Sequence, residues 1–346
     1  MKGQGTTRDA LLAAIDRMGG SRVLVVADLV LDEFEYGEID RVSREAPVLI
    51  LAHRGTVRLP GGGANAVHNL SALDGKPLVV GRVGRDEAGD QLLSLLNERG
   101  ADTTRVWRDP AYATPVKRRV LAGSAHSVRQ QIVRIDRGGG PAVRAQGSPL
   151  LPAVREALAT AQGTLLSDYS LGLLNGDTIG AVTEEVRAAR KPWFVDSRSQ
   201  IRRFRGMTAA TPNLQEAEAA LGDRVDDDLE KLARAGTALR ASLDASTIVI
   251  TRGSQGMSVF PRDADPVHLG VYGTDEVADV TGAGDTVIGV LTLAMLAGAG
   301  AVEAARLANY AGGIVVMKRG TATVGREELR RAVRADPALD SSVRRA

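Results

Sequence analysis

The segment Asp279-Val280-Thr281-Gly282-Ala283-Gly284-Asp285-Thr286 is the most informative in the chain, because it leads directly into an uncharged run that ends at Val302. Its small residues predict a tight turn whose three successive backbone N–H groups face inward at a helix N-terminus, where the helix dipole adds positive potential. Such a turn suits an anion, particularly the charge that develops on a transferring phosphoryl group. Asp285 adjoins the turn, where a carboxylate can accept the proton of an attacking hydroxyl. The alternative is that Asp285 only caps the helix.

Short apolar runs alternate with helical patterns along the rest of the chain. Ser21–Ala27 predicts a buried first strand that ends at Asp28. Four further strand-like runs, each followed by a helical or turn segment, are TLLSDY from Thr164, PWFVDS from Pro192, MTAATPN from Met207 and STIVITRG from Ser246. This rhythm predicts an α/β fold with a doubly wound, mainly parallel sheet flanked by helices.

Two segments alternate like strands outside this rhythm and predict a small β lid, at about 33–59 and 105–137. Lids of this kind exclude water when a substrate binds. Glycine and proline are concentrated at 138–152, which predicts a loop between two lobes. We therefore expect one domain over residues 20–332, with residues 1–19 and 333–346 as terminal extensions.

The composition excludes several classes of protein. The chain has 346 residues, of which 44% are apolar and 25% charged, as in a globular protein with a sizeable core. It has no cysteine, which excludes disulfides and zinc–thiolate sites and fits a cytoplasmic location. With a net charge of +2, 3% aromatics and no basic cluster interleaved with aromatics, we expect no nucleic-acid partner. The uncharged run 286–302 is shorter than the roughly 20 residues of a membrane span, so it predicts a buried helix.

Four motifs together resemble those of the PfkB (ribokinase-like) sugar kinase family. The segment DVTGAGDT at 279–286 is similar to its C-terminal signature, and PGGGANAVHN at 60–69 to its N-terminal signature. TPNLQE at 211–216 resembles its NxxE motif, and TRGSQGM at 251–257 its strand and glycine segment beside the nucleotide. The resemblance covers about residues 20–332. It implies a kinase that uses ATP and Mg²⁺, with Asp285 as the base and Gly282, Ala283 and Gly284 as the anion hole.

Other segments resemble one branch of that family, the bacterial D-glycero-β-D-manno-heptose 7-phosphate kinases. They are DLVLDEFEYG at 28–37, RVSREAPV at 41–48, KRRV at 117–120, QQIVRID at 130–136 and SDY at 167–169. Those enzymes transfer the γ-phosphoryl group of ATP to the anomeric hydroxyl of a sugar that already carries a phosphate. The resemblance implies that the sugar hydroxyls are bound by Asp28, Asp32, Gly62, Gly63 and Asn65.

A phosphorylated sugar also needs a cationic hold on its phosphate. Lys117 is one of only six lysines in an arginine-rich chain, which suggests a role in the site. Gln130 and Arg134 alternate on a predicted strand and are further candidates. Exposed surface positions are the alternative for all three residues.

The predicted nucleotide site has its own candidates. Asn213 and Glu216 share one face of a helical turn and would position Mg²⁺ and the ATP phosphates through water, although a capping box is the alternative. The resemblance places Thr251, Gly253 and Gly256 beside the nucleotide, and Asn309 and Gly312 on a helix that flanks the adenine. It also implies a K⁺ or other monovalent cation at Asp279 and Thr281, where a purely structural turn is the alternative.

The chain departs from the branch at two places. It has Asp196-Ser197-Arg198 where Asp-Pro-Lys is expected, and Leu171 where a lysine usually follows SDY. Some relatives carry a fused adenylyltransferase with an HxGH motif, which this sequence lacks, so we expect the kinase alone. By analogy with the family we expect a homodimer formed through the lid.

Proteins of other classes fit the sequence less well. A dinucleotide-binding oxidoreductase would have its glycines directly after the first strand, whereas Gly61-Gly62-Gly63 comes some thirty residues later. No GxxxxGK[ST] motif of a P-loop kinase is present. A non-catalytic sugar sensor on the same fold is the remaining alternative, against which Asp285 and the Asn213–Glu216 pair argue.

Overall fold

Two sheets contain the strands of the computed structural model, which describes residues 7–123, 129–225, 228–273, 278–318, 320–337, 339 and 343–345. The strands are β1 (Arg22–Ala27), β2 (Leu29–Val42), β3 (Leu49–Gly62), β4 (Lys76–Gly84), β5 (Asp102–Asp109), β6 (Ala113–Gly123), β7 (Gln130–Gly139), β8 (Gly163–Asp168), β9 (Trp193–Ser197), β10 (Ala209–Ala210), β11 (Thr247–Thr251), β12 (Met257–Pro261), β13 (Val267–Leu269) and β14 (Val343–Arg345). The helices are α1 (Thr7–Met18), α2 (Gly63–Ala72), α3 (Glu87–Glu98), α4 (Leu150–Thr160), α5 (Thr178–Ala188), α6 (Leu214–Leu221), α7 (Leu229–Ser242), α8 (Ala283–Leu296), α9 (Ala301–Val316) and α10 (Arg326–Ala335).

The large sheet has the strand order β14-β13-β12-β11-β10-β9-β8-β1-β4-β5. The neighbours from β11 to β5 pair in parallel, whereas β12, β13 and β14 add antiparallel strands at one edge. Helices cover both faces, and each face has its own apolar core. Because β1 lies in the middle with both faces covered, Val23 to Ala27 are all buried. The expected doubly wound, mainly parallel sheet is confirmed.

The small sheet has the order β3-β2-β6-β7. A single residue, Asp28, separates β1 from β2, and β2 pairs with β3 in antiparallel and with β6 in parallel fashion. A second, small sheet of this kind was expected as a lid. Residues 124–128 of the expected lid lie outside the described residues.

The lid boundaries differ from those expected. Strand β5 pairs with β4 at the edge of the large sheet, so the second lid segment begins at Ala113 and not at 105. Strand β5 is half-buried along most of its length, as a strand of a small lid sheet also would be, so its sequence did not distinguish the two positions.

The termini and the uncharged run also differ from the simplest expectation. Helix α1, expected to lie outside the domain, buries Leu11, Ile15 and Met18 completely in the core. The uncharged run 286–302 is not one helix, since α8 ends at Leu296 and α9 begins at Ala301. Within the described residues, no helix is both long and apolar enough to span a membrane.

Candidate active site

Asp285 lies in the first turn of α8 and is almost completely buried, with 2% of its surface exposed. Tyr169 donates its hydroxyl to Asp285 Oδ1 at 2.8 Å, and Asn65 donates Nδ2 to Oδ2 at 2.9 Å. The helix cap is Gly282, so the contacts do not support the alternative in which Asp285 serves as a cap. Burial raises the pKa of Asp285 to about 6, although the two donors act in the opposite direction. A buried carboxylate with this pKa can act as a proton acceptor near neutral pH.

The glycine turn before Asp285 presents unpaired backbone donors. Within the described part of the chain, no group accepts a hydrogen bond from the backbone N–H of Gly284 or Asp285, whereas that of Ala283 reaches Val280 O at 3.3 Å. Space beside Gly284 is open, because a Cβ added there would meet no atom within 4 Å. The N–H of Gly282 likewise has no acceptor among the described residues, so the turn offers three N–H groups, although they are not the three successive ones expected, and it suits a phosphate oxygen.

Close packing explains the glycines on both sides of this site. Gly282 has a φ of 80°, and a Cβ there would lie 2.4 Å from Asn65 Nδ2. A Cβ on Gly63 would lie 2.5 Å from Ala27 Cβ, and one on Gly62 would lie 2.7 Å from Val30 Cγ2. These glycines let α2 and α8 approach until Asn65 reaches Asp285, 220 residues away in the chain.

One face of the small sheet carries charged side chains in register. Asp32 on β2 stands opposite Lys117 on β6, which stands opposite Asp136 on β7. Arg119 donates to Asp32 Oδ1 at 2.9 Å in a buried ion pair and stands opposite Arg134. Arg119 was not singled out from the sequence, although its alternation with Lys117 on β6 was a usable signal.

Burial and the cations shift the pKa of these groups. Burial raises the pKa of Asp32, against the lowering by Arg119, Lys117 and Arg134. Burial also lowers the pKa of Lys117. Arg134 is exposed and donates to Asp136 at 2.9 and 3.0 Å. The face thus presents cations around one buried carboxylate, an arrangement that can hold an anion with attached hydroxyls.

Asp28, predicted to bind sugar hydroxyls, has a carboxylate that is engaged by the backbone in this structure. Its carboxylate accepts from the backbone N–H groups of Tyr169, Leu171 and Leu173 at 2.9, 3.0 and 3.2 Å. It is 3% exposed, and burial raises its pKa to about 6. The contacts assign Asp28 to holding the loop after β8. An aspartate at the end of a strand can either anchor a loop or bind a sugar hydroxyl. The sequence alone does not distinguish these two roles.

Tyr169 and Asp196 belong to the site but were not singled out as site residues from the sequence. Burial and the nearby Asp285 hold the pKa of Tyr169 well above its usual value. Burial, Asp285 and Glu216 likewise hold the pKa of Asp196 well above its usual value. The guanidinium of Arg198 lies 4.3 Å from the centre of the Tyr169 ring. The departure at this position therefore keeps a cation beside Asp285.

The other two residues at the departures, Ser197 and Leu171, are compatible with the fold. Ser197 donates its hydroxyl to Asp168 Oδ2 at 2.7 Å, which holds the end of β8 against β9. Leu171 contributes its backbone N–H to Asp28.

Gln130 is exposed and lies six residues along β7 from Asp136, about 20 Å at the rise of an extended strand. The structure does not bring Gln130 to the charged face beside Lys117.

The Asn213–Glu216 pair forms the capping box that was the alternative reading. Asn213 Oδ1 accepts from the backbone N–H of Glu216 at 2.8 Å, and Glu216 Oε2 accepts from that of Asn213 at 2.9 Å. Burial raises the pKa of Glu216, and Arg198 lowers it. Each side chain keeps a free oxygen lone pair. The oxygen donors therefore fit Mg²⁺, which binds such groups commonly through water.

The remaining nucleotide candidates follow β11 and α9. Thr251 ends β11 and forms a parallel bridge with Asn213. Gly253 and Gly256 have φ values of 56° and 80°, which favour glycine. Asn309 donates to Gly270 O at 2.6 Å and lines a cavity of about 400 Å³ that also contains Tyr272 and Tyr310 among its lining residues.

Gly312 and Gly313 both lie on α9 where neighbouring atoms come close. A Cβ on Gly312 would lie 3.3 Å from Val287 Cγ2, and one on Gly313 would lie 2.1 Å from Tyr272 O. At the expected cation position, Asp279 accepts from the backbone N–H groups of Thr281 and Gly320 at 2.9 and 3.0 Å. These contacts are those of the structural turn that was the alternative there.

Known proteins resemble this chain in sequence and in fold. Residues 24–328 match the model of the pfkB family carbohydrate kinase. Bifunctional protein HldE of Geobacter metallireducens is 42% identical over 309 residues, and the protein of that name from Caulobacter vibrioides is 39% identical over 324. These alignments cover 88% and 93% of this chain but only 61% and 65% of those proteins.

Solved structures show the fold. Ribokinase of Arabidopsis thaliana, complexed with ribose and ATP, has a TM-score of 0.72 at 19% identity and covers 92% of this chain and 100% of its own. Phosphofructokinase-2 of Escherichia coli has a TM-score of 0.71 at 17% identity, with coverage of 91% and 98%. The chain therefore has a ribokinase-like fold.

Proposed function

Because this chain belongs to the pfkB family of carbohydrate kinases, we propose that it transfers the γ-phosphoryl group of ATP to a sugar phosphate. The acceptor we propose is O1 of D-glycero-β-D-manno-heptose 7-phosphate, and the location is the cytoplasm. The family membership makes the chain a sugar kinase. One observation carries the finer proposal: a buried carboxylate, Asp285, shares the site with cations that include Lys117 and Arg198.

The residues divide the reaction between them. Asp285 accepts the proton of the attacking hydroxyl, and the N–H groups of Gly284 and Asp285 stabilise the negative charge of the transferring phosphoryl group. Asp32 accepts from sugar hydroxyls, while Lys117, Arg119 and Arg134 hold the phosphate already present on the acceptor. Arg119 and Arg134 are paired with Asp32 and Asp136, so Lys117 gives these three cations one positive charge in excess, which a neutral sugar would not need. This excess of positive charge supports a phosphorylated acceptor.

ATP and Mg²⁺ fit the residues that the structure offers. The open nest at Gly284 suits a phosphate oxygen, and Asn213 and Glu216 supply hard oxygen donors. The metal would neutralise charge on the phosphates when bound. Asn309 and the cavity beside it are our proposed site for the base.

A coupled assay of ADP formation across sugars and sugar phosphates tests the proposed function. We expect kcat/KM to be highest with the heptose 7-phosphate and far lower with ribose, fructose and adenosine. A higher kcat/KM with an unphosphorylated sugar or a nucleoside would overturn the acceptor and leave the sugar kinase. ATP binding without phosphoryl transfer to any acceptor would favour the sensor alternative.

Substitution of Glu216 separates a metal role from a cap. Glutamine preserves the capping box but removes the charge, whereas alanine removes both. If Glu216 positions Mg²⁺, Glu216→Gln and Glu216→Ala should both lower kcat by at least tenfold and raise the Mg²⁺ concentration at half-maximal rate, with sugar binding unchanged. A parental Mg²⁺ titration for Glu216→Gln would show that Glu216 is only a cap.

We also propose that the chain forms a homodimer through the small sheet. Every residue of β7 except Gly139 is exposed, and Val133 and Ile135 expose 45% and 49% of their surface. Val42 and Leu49, paired at the far end of β2 and β3, are exposed as well. An exposed apolar edge strand is a template for association, and a second copy of this chain would cover it.

Charges on the edge strand should break this dimer. Val133 and Ile135 are two residues apart and so share a face of β7. We expect light scattering to give the mass of a dimer for the parent and of a monomer for Val133→Lys/Ile135→Lys. Met317→Lys, at an equally exposed apolar position outside the small sheet, is the control and should stay dimeric. A monomeric parent at high concentration would contradict the proposal.

A further inference from the structure

Tyr169 fixes the Asp285 carboxylate from the side opposite to Asn65. The tyrosine hydroxyl donates to Oδ1, and the Asn65 amide donates to Oδ2. The donors come from two elements, since Tyr169 follows β8 and Asn65 lies in α2. Two donors on different oxygens restrict the rotation of the carboxylate. Each oxygen still has a lone pair for the acceptor hydroxyl.

The backbone of Tyr169 is itself anchored. Asp28 accepts from its N–H at 2.9 Å, and the next residue, Ser170, has a φ of 58° and donates its N–H to Asp168 Oδ1 at 2.8 Å. A non-glycine residue at positive φ persists only where the surroundings impose it. This anchoring explains why a buried Asp28 is present at the site without facing it.

The Tyr169 ring is flanked by cations and stays protonated. Lys117 Nζ lies 5.1 Å and Arg198 Cζ lies 4.3 Å from the ring centre, at cation–π distances. The pKa of the hydroxyl is raised well above its usual value by burial and by Asp285. Tyr169 therefore keeps its proton around neutral pH and donates a hydrogen bond to Asp285.

We propose that Tyr169 is a positioning residue that orients the Asp285 carboxylate toward the acceptor hydroxyl and stabilises its ionised form. The proposal rests on the proposed function, in which Asp285 is the base. The sequence motifs did not assign this role to Tyr169. A single tyrosine after a strand belongs to no periodic pattern that would indicate which residue it contacts. Asp28 acts one step further away, through the loop that carries Tyr169.

The charges around Asp285 set the direction of the effect. The pKa of Asp285 is raised to about 6. Burial and the charge of Asp32 on β2 raise it, whereas Asn65, Tyr169 and Arg198 lower it. Asp196 on β9 also faces it. Removal of the tyrosine hydroxyl takes away one lowering contribution and leaves the raising ones. The base then needs a higher pH to ionise.

The test is the pH dependence of kcat for Tyr169→Phe between about pH 5 and 9. We expect the acid limb to move up by about one unit, the usual value of a hydrogen bond to a charged group. At pH values below the acid limb, kcat of the variant should be roughly tenfold lower than that of the parent, and the difference should shrink at high pH. The KM for ATP should be unchanged. Tyr112→Phe removes the hydroxyl of another buried tyrosine that does not contact Asp285, and its pH profile should match the parent.

A readout independent of turnover separates this proposal from the proposed function. The infrared carboxyl band lost in Asp285→Asn identifies Asp285, and its titration should shift upward in Tyr169→Phe. An inactive parent with that shift would overturn the kinase function and keep the contact. An unshifted band, or a kcat loss that is equal at every pH, would overturn the role of Tyr169.

Discussion

Asp285→Asn should lower kcat by about 10²–10⁴-fold while the affinity for ATP and the melting temperature stay near the parental values. The carboxylate is the proton acceptor, and asparagine keeps its shape without its basicity. The proposed anion site consists of backbone N–H groups, which the substitution leaves in place. In this variant the new amide oxygen can accept from Asn65 Nδ2, and the new amide N–H can donate to the Tyr169 hydroxyl oxygen, so both neighbours keep a partner. Steady-state kinetics, nucleotide titration and thermal melts measure the three quantities.

The matched control for this variant is a true helix cap. Asp86 caps α3 by accepting from the backbone N–H of Gly89 at 2.8 Å, and it also accepts from that of Thr114. Since asparagine caps helices as well as aspartate does, Asp86→Asn should retain kcat. A near-parental kcat for Asp285→Asn would remove Asp285 from the mechanism.

Lys117→Met should selectively impair phosphorylated acceptors. Methionine keeps the length of the side chain and removes the charge, and a hydrogen bond to a charged group contributes about 1.5–3 kcal/mol. We expect KM for the heptose 7-phosphate to rise by about 10- to 100-fold. The low kcat/KM for an unphosphorylated sugar should barely change. The preference for the phosphate would therefore collapse.

Lys76→Met is the control for Lys117→Met. Lys76 is exposed at the first residue of β4, at the end of the large sheet opposite to the site. Its removal should leave both acceptors unaffected. Equal losses with phosphorylated and unphosphorylated acceptors in Lys117→Met would show that Lys117 does not contact the phosphate.

The sequence predicted the large sheet because buried parallel strands are short apolar runs that need no knowledge of their neighbours. It also predicted a turn with free donors before Asp285, because glycine spacing and the helix that follows are local features. The pairing of Asn65 with Asp285 was different. No periodicity connects residues 220 positions apart, and only the family motifs put both in one site.

Two of the sequence predictions rested on local pattern alone. Asp28 was predicted to bind sugar, and β5 was predicted to join the lid, because each has the local pattern of the expected role. For Asp28, the loop that turns back onto its carboxylate decides between an anchoring role and a sugar-binding role. For β5, the strand with which it pairs decides between the large sheet and the lid. Both are long-range contacts. The same holds for Tyr169, whose partner lies 116 residues away.

Identification of the product by ³¹P NMR tests the central claim most directly. Purified protein, ATP, Mg²⁺ and D-glycero-β-D-manno-heptose 7-phosphate should give ADP and, in equal amount, a new phosphate ester coupled to the anomeric proton. The signal should be absent with Asp285→Asn over the same time. ADP formation without a new ester, or an ester on another hydroxyl, would contradict transfer to O1. No reaction with this or any other sugar would contradict the kinase itself.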